Sequence, residues 1–306
     1  MVKKAKHALI ILGAGPAGLT AALYAARYKL DFITIGRVAG GYMMEAHEVE
    51  NFPGTGKISG PELSQKIFSQ LKDLEHEPVR DDIQAIKKEN GTIHLYGATE
   101  EYKTTHLILA LGTERKQLNI PGEQEFLGKG VSYCATCDGF FFKEKTVAVI
   151  GGGDSALTAA LYLGDVADKV YLIARKDELA GDPSWQEKIR THKNIETVLG
   201  TNVKEICGNE KVEKIILDNG PGEIAVDGVF IEIGLTPSSA LLDNLGVSRD
   251  EKNYIIVDSR QKTSIPGVWA AGDATTASNK LKQIVTACSE GAVAATDIFQ
   301  EIKKQK

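Results

Sequence analysis

Ala8-Leu9-Ile10-Ile11-Leu12-Gly13-Ala14-Gly15-Pro16-Ala17-Gly18 decides the fold. An apolar run of strand character passes straight into a glycine turn, and an alanine-rich helical pattern continues to about Tyr28. The same grammar returns at Thr146-Val147-Ala148-Val149-Ile150, then Gly151-Gly152-Gly153-Asp154-Ser155-Ala156, then a helical pattern from Leu157 to Leu163. Each unit is followed by another short apolar strand, Asp31 to Ile35 and Lys169 to Ile173, as a right-handed βαβ crossover requires. A single glycine fingerprint is weak, whereas two in strand-to-helix context are specific. In such a turn the first glycine permits the bend and the second lets backbone approach a pyrophosphate. The third lets helix pack on strand, and the helix N-terminus faces the phosphate charge. The chain therefore reads as α/β with two Rossmann-like dinucleotide-binding units.

Working outward, Gly267-Val268-Trp269-Ala270-Ala271-Gly272-Asp273 is a third apolar strand ending in Gly-Asp, followed by a helical pattern from Leu281 to about Ile302. The simplest topology returns this strand to the first unit. Residues 1–113 and 243–306 then form one discontinuous domain around an insert of 114–242, with Leu111-Gly112-Thr113 leading out and Gly234-Leu235-Thr236-Pro237-Ser238 leading back.

The 306 residues are 42% hydrophobic and 25% charged, which suits two globular domains. No apolar stretch reaches the roughly 18 residues of a membrane span, and the basic start, Met1 to Lys6, leads into a strand instead of a signal-peptide core. A cytoplasmic protein is expected, with no membrane partner. With a net charge of −5 and scattered Lys and Arg, no nucleic-acid footprint is expected either. The four cysteines contain one close pair, Cys134 and Cys137, while the six histidines are dispersed singly, so no metal site is expected. Cys207 and Cys288 each stand alone in apolar periodicity and are expected to be buried.

Cys134-Ala135-Thr136-Cys137-Asp138-Gly139 carries the chemistry. A thiolate opens a disulfide and a neighbouring thiol resolves the mixed intermediate, so two closely spaced cysteines are required. Asp138, next to Cys137, is either a general acid and base for the thiol proton or a solvated turn residue.

With these surroundings the chain resembles low-molecular-weight thioredoxin reductases. Gly13 to Gly18, Glu48-Val49-Glu50-Asn51-Phe52-Pro53-Gly54, Cys134 to Gly139, Gly151 to Ala156 and Ala270-Ala271-Gly272-Asp273 fall in that family's order along essentially the whole chain. The resemblance implies two nucleotide-binding domains of the three-layer ββα type, the second inserted in the first. It implies a homodimer, a catalytic role for Asp138 with Cys134 and Cys137, and electron flow from a reductant through FAD and this dithiol to thioredoxin. FAD is expected on Gly13, Gly15, Pro16, Ala17, Gly18, Gly40, Gly41, Tyr42, Asn51, Gly112, Gly272, Asp273, Lys282, Gln283 and Ile284. A nicotinamide nucleotide is expected on Gly151, Gly152, Gly153, Asp154, Ser155, Ala156, Arg175 and Lys176. The family rotates its insert, which makes the two linkers the expected hinges.

The chain departs from the family pattern in three places. Ala174-Arg175-Lys176 replaces His-Arg-Arg, and Ala180 stands where a further Arg is usual; Gly40-Gly41-Tyr42 replaces Gly-Gly-Gln; Lys282-Gln283-Ile284 replaces Arg-Gln-Ala. Arg175 and Lys176, with no carboxylate at the strand end itself, favour NADPH as donor. NADH, ferredoxin or a reduced deazaflavin are the alternatives, and of another class, a flavin redox sensor without turnover. A thiol-free ferredoxin–NADP reductase or NADH oxidase is disfavoured by the Cys-x-x-Cys pair.

Overall fold

A computed structural model describes residues 4–237 and 241–304. Its helices are α1 (Pro16–Arg27), α2 (Gly60–Lys72), α3 (Ala135–Asp138), α4 (Asp154–Gly164), α5 (Pro183–Thr191) and α6 (Ile284–Lys304). The chain divides into two compact units, Met1–Glu114 with Thr236–Lys306, and Arg115–Leu235.

The first unit is built on five parallel strands in the order Val268–Ala270, His106–Leu109, Leu9–Leu12, Phe32–Gly36, Val79–Arg80. Because successive side chains of a strand point to opposite faces, the run Leu9–Leu12 serves two cores. Leu9 and Ile11 pack with α1 and α6 residues such as Leu19, Ala22, Ala294 and Ile298. Ile10 and Leu12 pack against Ile86, Ile93, Leu95 and Tyr102 of a four-stranded sheet, Lys4–Lys6, Glu101–Thr104, Thr92–Gly97 and Ile83–Glu89. Helices, parallel sheet and second sheet thus make three layers. Each aliphatic side chain buried here contributes roughly 1.5–3 kcal/mol, which is why a strand covered on both faces reads as an unbroken apolar run.

The insert repeats the plan. Its parallel sheet runs Val131–Ser132, Gly228–Ile231, Thr146–Ile150, Lys169–Ile173, Ile195–Val198. Val147 and Val149 pack on α4 residues Ala156, Leu157 and Ala160. Ala148 and Ile150 pack on Ile206, Val212 and Ile215 of a three-stranded antiparallel sheet.

The insert ends at Leu235, seven residues before the expected 242. Leu242 bears on the difference, since it packs in the Ile10 and Leu12 core of the first unit together with Leu245 and Val247, which were expected there. The expected linkers are short strands at their inner ends, Thr113–Arg115 and Leu235–Pro237; Ser238 lies outside the described residues. The last helix starts at Ile284, three residues after the expected Leu281. Leu281 itself has φ −72° and ψ 101°, extended backbone that cannot belong to an α-helix, and it follows the left-handed residues Ser278, Asn279 and Lys280. Among the described residues no helix is long and apolar enough to cross a membrane.

Helix starts distinguish scaffold from candidate site. α2 has a capping box in which Ser59 accepts the Glu62 N–H and Glu62 accepts the Ser59 N–H, and the Ser59 hydroxyl, donating to Glu62 Oε2 at 2.7 Å, followed by that Ser59 N–H, holds the Glu62 carboxyl below its usual range. α1 and α4 begin at Gly15 and Gly153 with no side-chain cap, and Pro16 supplies no N–H. Their first-turn N–H groups are therefore left for another acceptor.

Candidate active site

The strand Val131–Ser132 runs into one turn of helix, α3, that carries the cysteine pair. Cys134 and Cys137 form a disulfide with Cα atoms 5.3 Å apart. Cys134 stands at the N-cap of α3, and its Sγ accepts the Cys137 N–H at 3.2 Å. Cys137 is exposed and Cys134 half-buried. Behind them Ser132, only 5% exposed, donates its hydroxyl to Asp138 Oδ2 at 2.6 Å and accepts the Cys134 N–H at 3.0 Å. Tyr133 donates to Glu123 Oε1 at 2.6 Å, and burial, then Glu123, push the phenol upward from its usual range. Glu123 is 1% exposed and also accepts the Leu118 and Asn119 N–H groups, so the chain entering the dithiol is anchored to a satisfied buried carboxylate. Beyond it Phe140 and Phe141 are 72% and 70% exposed, whereas Phe142 is buried edge-on against Phe230.

In the first unit, the chain's own backbone forms a cradle at Gly13 to Gly18. Gly13 has φ +118°, and a Cβ there would lie 2.0 Å from Ala110 O. A Cβ on Gly41 would come within 3.1 Å of Gly15 Cα, and Gly40 N–H donates to Ala14 O, so the Gly40-Gly41-Tyr42 turn lies on the glycine turn. A Cβ on Gly272 would meet Ala17 Cβ at 3.0 Å, which brings Gly272 and Asp273 to the start of α1. Burial raises the Asp273 carboxyl above its usual range, the Lys282 ammonium draws it back, and Glu290 adds to the rise. Lys282 Nζ donates to Asp273 O and sits 3.6 Å from the Tyr254 ring centroid. Asn51 Nδ2 donates to Gln283 Oε1 at 3.0 Å, and Ile284 packs against the cluster of Met43, Val49, Ile58 and Leu63. Gly112, with φ +63° and open space at its Cβ, follows two residues after Ala110. The residues expected to hold FAD therefore converge around an uncapped helix start, with space at Gly15, where a Cβ would meet Gly41 Cα only at 4.0 Å. They fit a dinucleotide with a polar sugar chain.

In the insert, Gly151 has φ +148° and a Cβ on it would lie 2.1 Å from Glu232 O, while Gly153 is open. Asp154 Oδ1 accepts the Asp182 N–H at 2.6 Å, and Ala180 N–H donates to Gly152 O at 2.7 Å, so the segment after the second strand lies along the glycine turn. A Cβ on Gly152 would be 3.2 Å from Ala174 Cβ, which places the exposed Arg175 and Lys176 directly after a residue touching the turn. Ser155 is exposed and Ala156 buried under the sheet. This set also fits a dinucleotide.

Cys207 and Cys288 depart from the expectation of burial: both are free and half-buried, and burial raises each thiol above its usual range. Cys207 lies on the strand Val203–Gly208 of the smaller sheet, where the side opposite the core remains partly open. Sequence reasoning missed Ser132, Tyr133, Glu123 and the exposed phenylalanines. The Phe140-Phe141-Phe142 run was a visible signal, since three successive aromatics cannot all face one core.

Two glycine-turn cradles and a redox disulfide in one chain define a dinucleotide-dependent disulfide oxidoreductase. Residues 7–291 match the family model described as pyridine nucleotide-disulphide oxidoreductase. A thioredoxin reductase of Listeria monocytogenes is 40% identical over 304 residues, covering 97% of this chain and 94% of the relative. Among solved structures, thioredoxin reductase of Lactococcus lactis aligns with a TM-score of 0.93 at 36% identity, covering 97% of this chain and 99% of that one. A ferredoxin-flavin thioredoxin reductase of Clostridium acetobutylicum aligns with a TM-score of 0.56 at 30% identity, over 99% of this chain and 100% of that one. The chain belongs to the pyridine nucleotide-disulphide oxidoreductases and, within them, to the thioredoxin reductase family.

Proposed function

We propose that this chain is a thioredoxin reductase that takes electrons from NADPH and delivers them through Cys134 and Cys137 to the disulfide of thioredoxin. The observation that carries the reading is a disulfide whose exposed member, Cys137, is followed within four residues by two exposed phenylalanines. Open aromatic surface beside a reactive sulfur suits a protein partner, because rings of that size lose apolar surface to water only against a broad counter-surface.

The first unit is the FAD domain in this reading and the insert the nicotinamide-nucleotide domain, with the linkers as hinges and the whole as a homodimer. FAD, when bound, supplies the two-electron relay between nicotinamide and disulfide. The protein does the rest. The uncapped starts of α1 and α4 receive pyrophosphates, and Asp273 accepts sugar hydroxyls. Cys137, the exposed thiol, opens the partner disulfide, and Cys134 resolves the mixed disulfide. The Cys137 N–H that the Cys134 sulfur accepts fixes that sulfur at the start of α3, beside its redox partner. Asp138 moves the proton that thiol and leaving sulfur exchange. Two of the four cysteines stand free, which fits a reducing, cytoplasmic setting.

NADPH is preferred as donor because Arg175 and Lys176 are exposed at the end of the second strand of the insert, where a 2′-phosphate is read. The Clostridium acetobutylicum relative keeps a ferredoxin donor as the second reading. Anaerobic mixing with NADPH should bleach the flavin faster than NADH does. Arg175→Glu with Lys176→Glu should weaken NADPH by about tenfold or more, at roughly 1.5 kcal/mol per lost charge-assisted bond, and leave NADH unchanged. Bleaching by dithionite but by neither nucleotide would move the donor to the ferredoxin class.

A further inference from the structure

We propose that Ser132 is a positioning residue of the disulfide exchange, its buried hydroxyl fixing the Asp138 carboxylate so that Oδ1 carries the proton passed between enzyme thiol and partner sulfur. The inference rests on the reading of Asp138 as proton carrier. Ser132 has one O–H and two acceptors within reach, Asp138 Oδ2 at 2.6 Å and Cys134 O at 3.3 Å. The shorter bond, to the charged acceptor, takes the proton. A lone pair of the same oxygen accepts the Cys134 N–H at 3.0 Å. One hydroxyl, 5% exposed, therefore ties the backbone of one redox cysteine to the carboxylate that follows the other. A serine serving only to end its strand would need the backbone bond alone. Committing its single proton to a half-exposed carboxylate removes rotamer freedom at Asp138 and leaves the other oxygen for exchange, which is the orientation a proton relay requires.

The chemistry balances over two protons and two electrons. The Cys137 thiolate attacks one sulfur of the partner disulfide, that S–S bond breaks, and the departing partner thiolate takes a proton. The Cys134 thiolate then attacks the Cys137 sulfur, the Cys134–Cys137 bond re-forms, and the second partner thiolate leaves and takes the other proton. Asp138 relays each proton, accepting it from an enzyme thiol and returning it to the leaving sulfur.

The test uses holoenzyme reduced anaerobically by dithionite and mixed with oxidised thioredoxin or, in parallel, with hydroxyethyl disulfide, following return of oxidised-flavin absorbance. Ser132→Ala should slow reoxidation about tenfold at saturating acceptor, with the half-saturating thioredoxin concentration unchanged, and Ser132→Thr should restore the rate to within about threefold. Asp138→Asn should cost more, and Ser132→Ala added to Asp138→Asn should cost nothing further, because a positioning residue has nothing left to position. Full rate in Ser132→Ala, additive losses in the double variant, or failure of threonine to rescue overturns the proposal. Should Ser132→Ala not retain FAD, Ser132→Cys, of similar size but a weak donor, takes its place with the same expectations. A wild type silent with thioredoxin but active with hydroxyethyl disulfide sinks the partner reading and leaves the Ser132 comparison decided on the small disulfide. Silence with both overturns both readings.

Discussion

Gly13 and Gly15 stand two residues apart in one turn, yet alanine at each should fail differently. A Cβ on Gly13 would lie 2.0 Å from Ala110 O and 2.6 Å from Ala110 C, at a φ of +118°. The obstacle is backbone held by the sheet, since Ala110 N–H donates to Leu12 O at 2.7 Å. Left-handed strain of roughly 1–2 kcal/mol and overpacking of roughly 1–3 kcal/mol together predict that Gly13→Ala destabilises the apoprotein by about 2–5 kcal/mol. Gly15 has φ −81° and ψ −173°, extended backbone open to any residue, and the nearest atom to its Cβ would be Gly41 Cα at 4.0 Å. Gly15→Ala should leave apoprotein stability within about 0.5 kcal/mol of wild type. Its methyl nevertheless fills the space a pyrophosphate needs to reach the first-turn N–H groups. Loss of one charge-assisted bond of roughly 1.5–3 kcal/mol corresponds to FAD affinity weakened about 10- to 100-fold. Urea unfolding of the apoprotein measures the first quantity and FAD fluorescence titration the second. Wild-type FAD affinity in Gly15→Ala would refute the cradle, and wild-type stability in Gly13→Ala would refute the steric argument.

Two further outcomes follow from the structure. Phe140→Ser with Phe141→Ser should raise KM for thioredoxin at least about tenfold, from apolar contact of roughly 1.5–3 kcal/mol per buried ring, while bleaching of the flavin by the electron donor stays at the wild-type rate; stopped-flow and steady-state kinetics separate the two. His76, stacked on Phe32 with 4.2 Å between centroids and sharing a hydrogen bond with Thr34, is held below its usual range by burial. Below about pH 6.5, the ordinary histidine value, the unfolded chain binds a proton that the folded chain refuses, so stability is lost as pH falls toward the folded value. His76→Phe should flatten that part of a pH series of urea midpoints.

Much of the architecture was legible because it is local. Leu9–Leu12 and Thr146–Ile150 declare buried strands by composition, and the glycine turns after them are required by close backbone approach, as at Gly13 against Ala110 and Gly151 against Glu232. The cysteine pair was legible by spacing alone. Where the insert ends was not, because Leu242 looks no different in sequence from an apolar residue of either domain; only its packing with Ile10 and Leu12 assigns it. The start of α6 was misplaced because the extended backbone of Leu281 is marked by no glycine or proline in the sequence. Ser132 was invisible for a related reason: a serine at a strand end is common, and its bond to Asp138 depends on how one turn of helix folds back.

The most direct test of the account is NADPH oxidation coupled to thioredoxin reduction by wild type, Cys134→Ser and Cys137→Ser, with flavin content and flavin bleaching measured on each. The account predicts sustained turnover by wild type, and two variants that bind FAD and are bleached by NADPH yet leave thioredoxin oxidised. Thioredoxin reduction at the wild-type rate by either variant, or none by wild type, would contradict it.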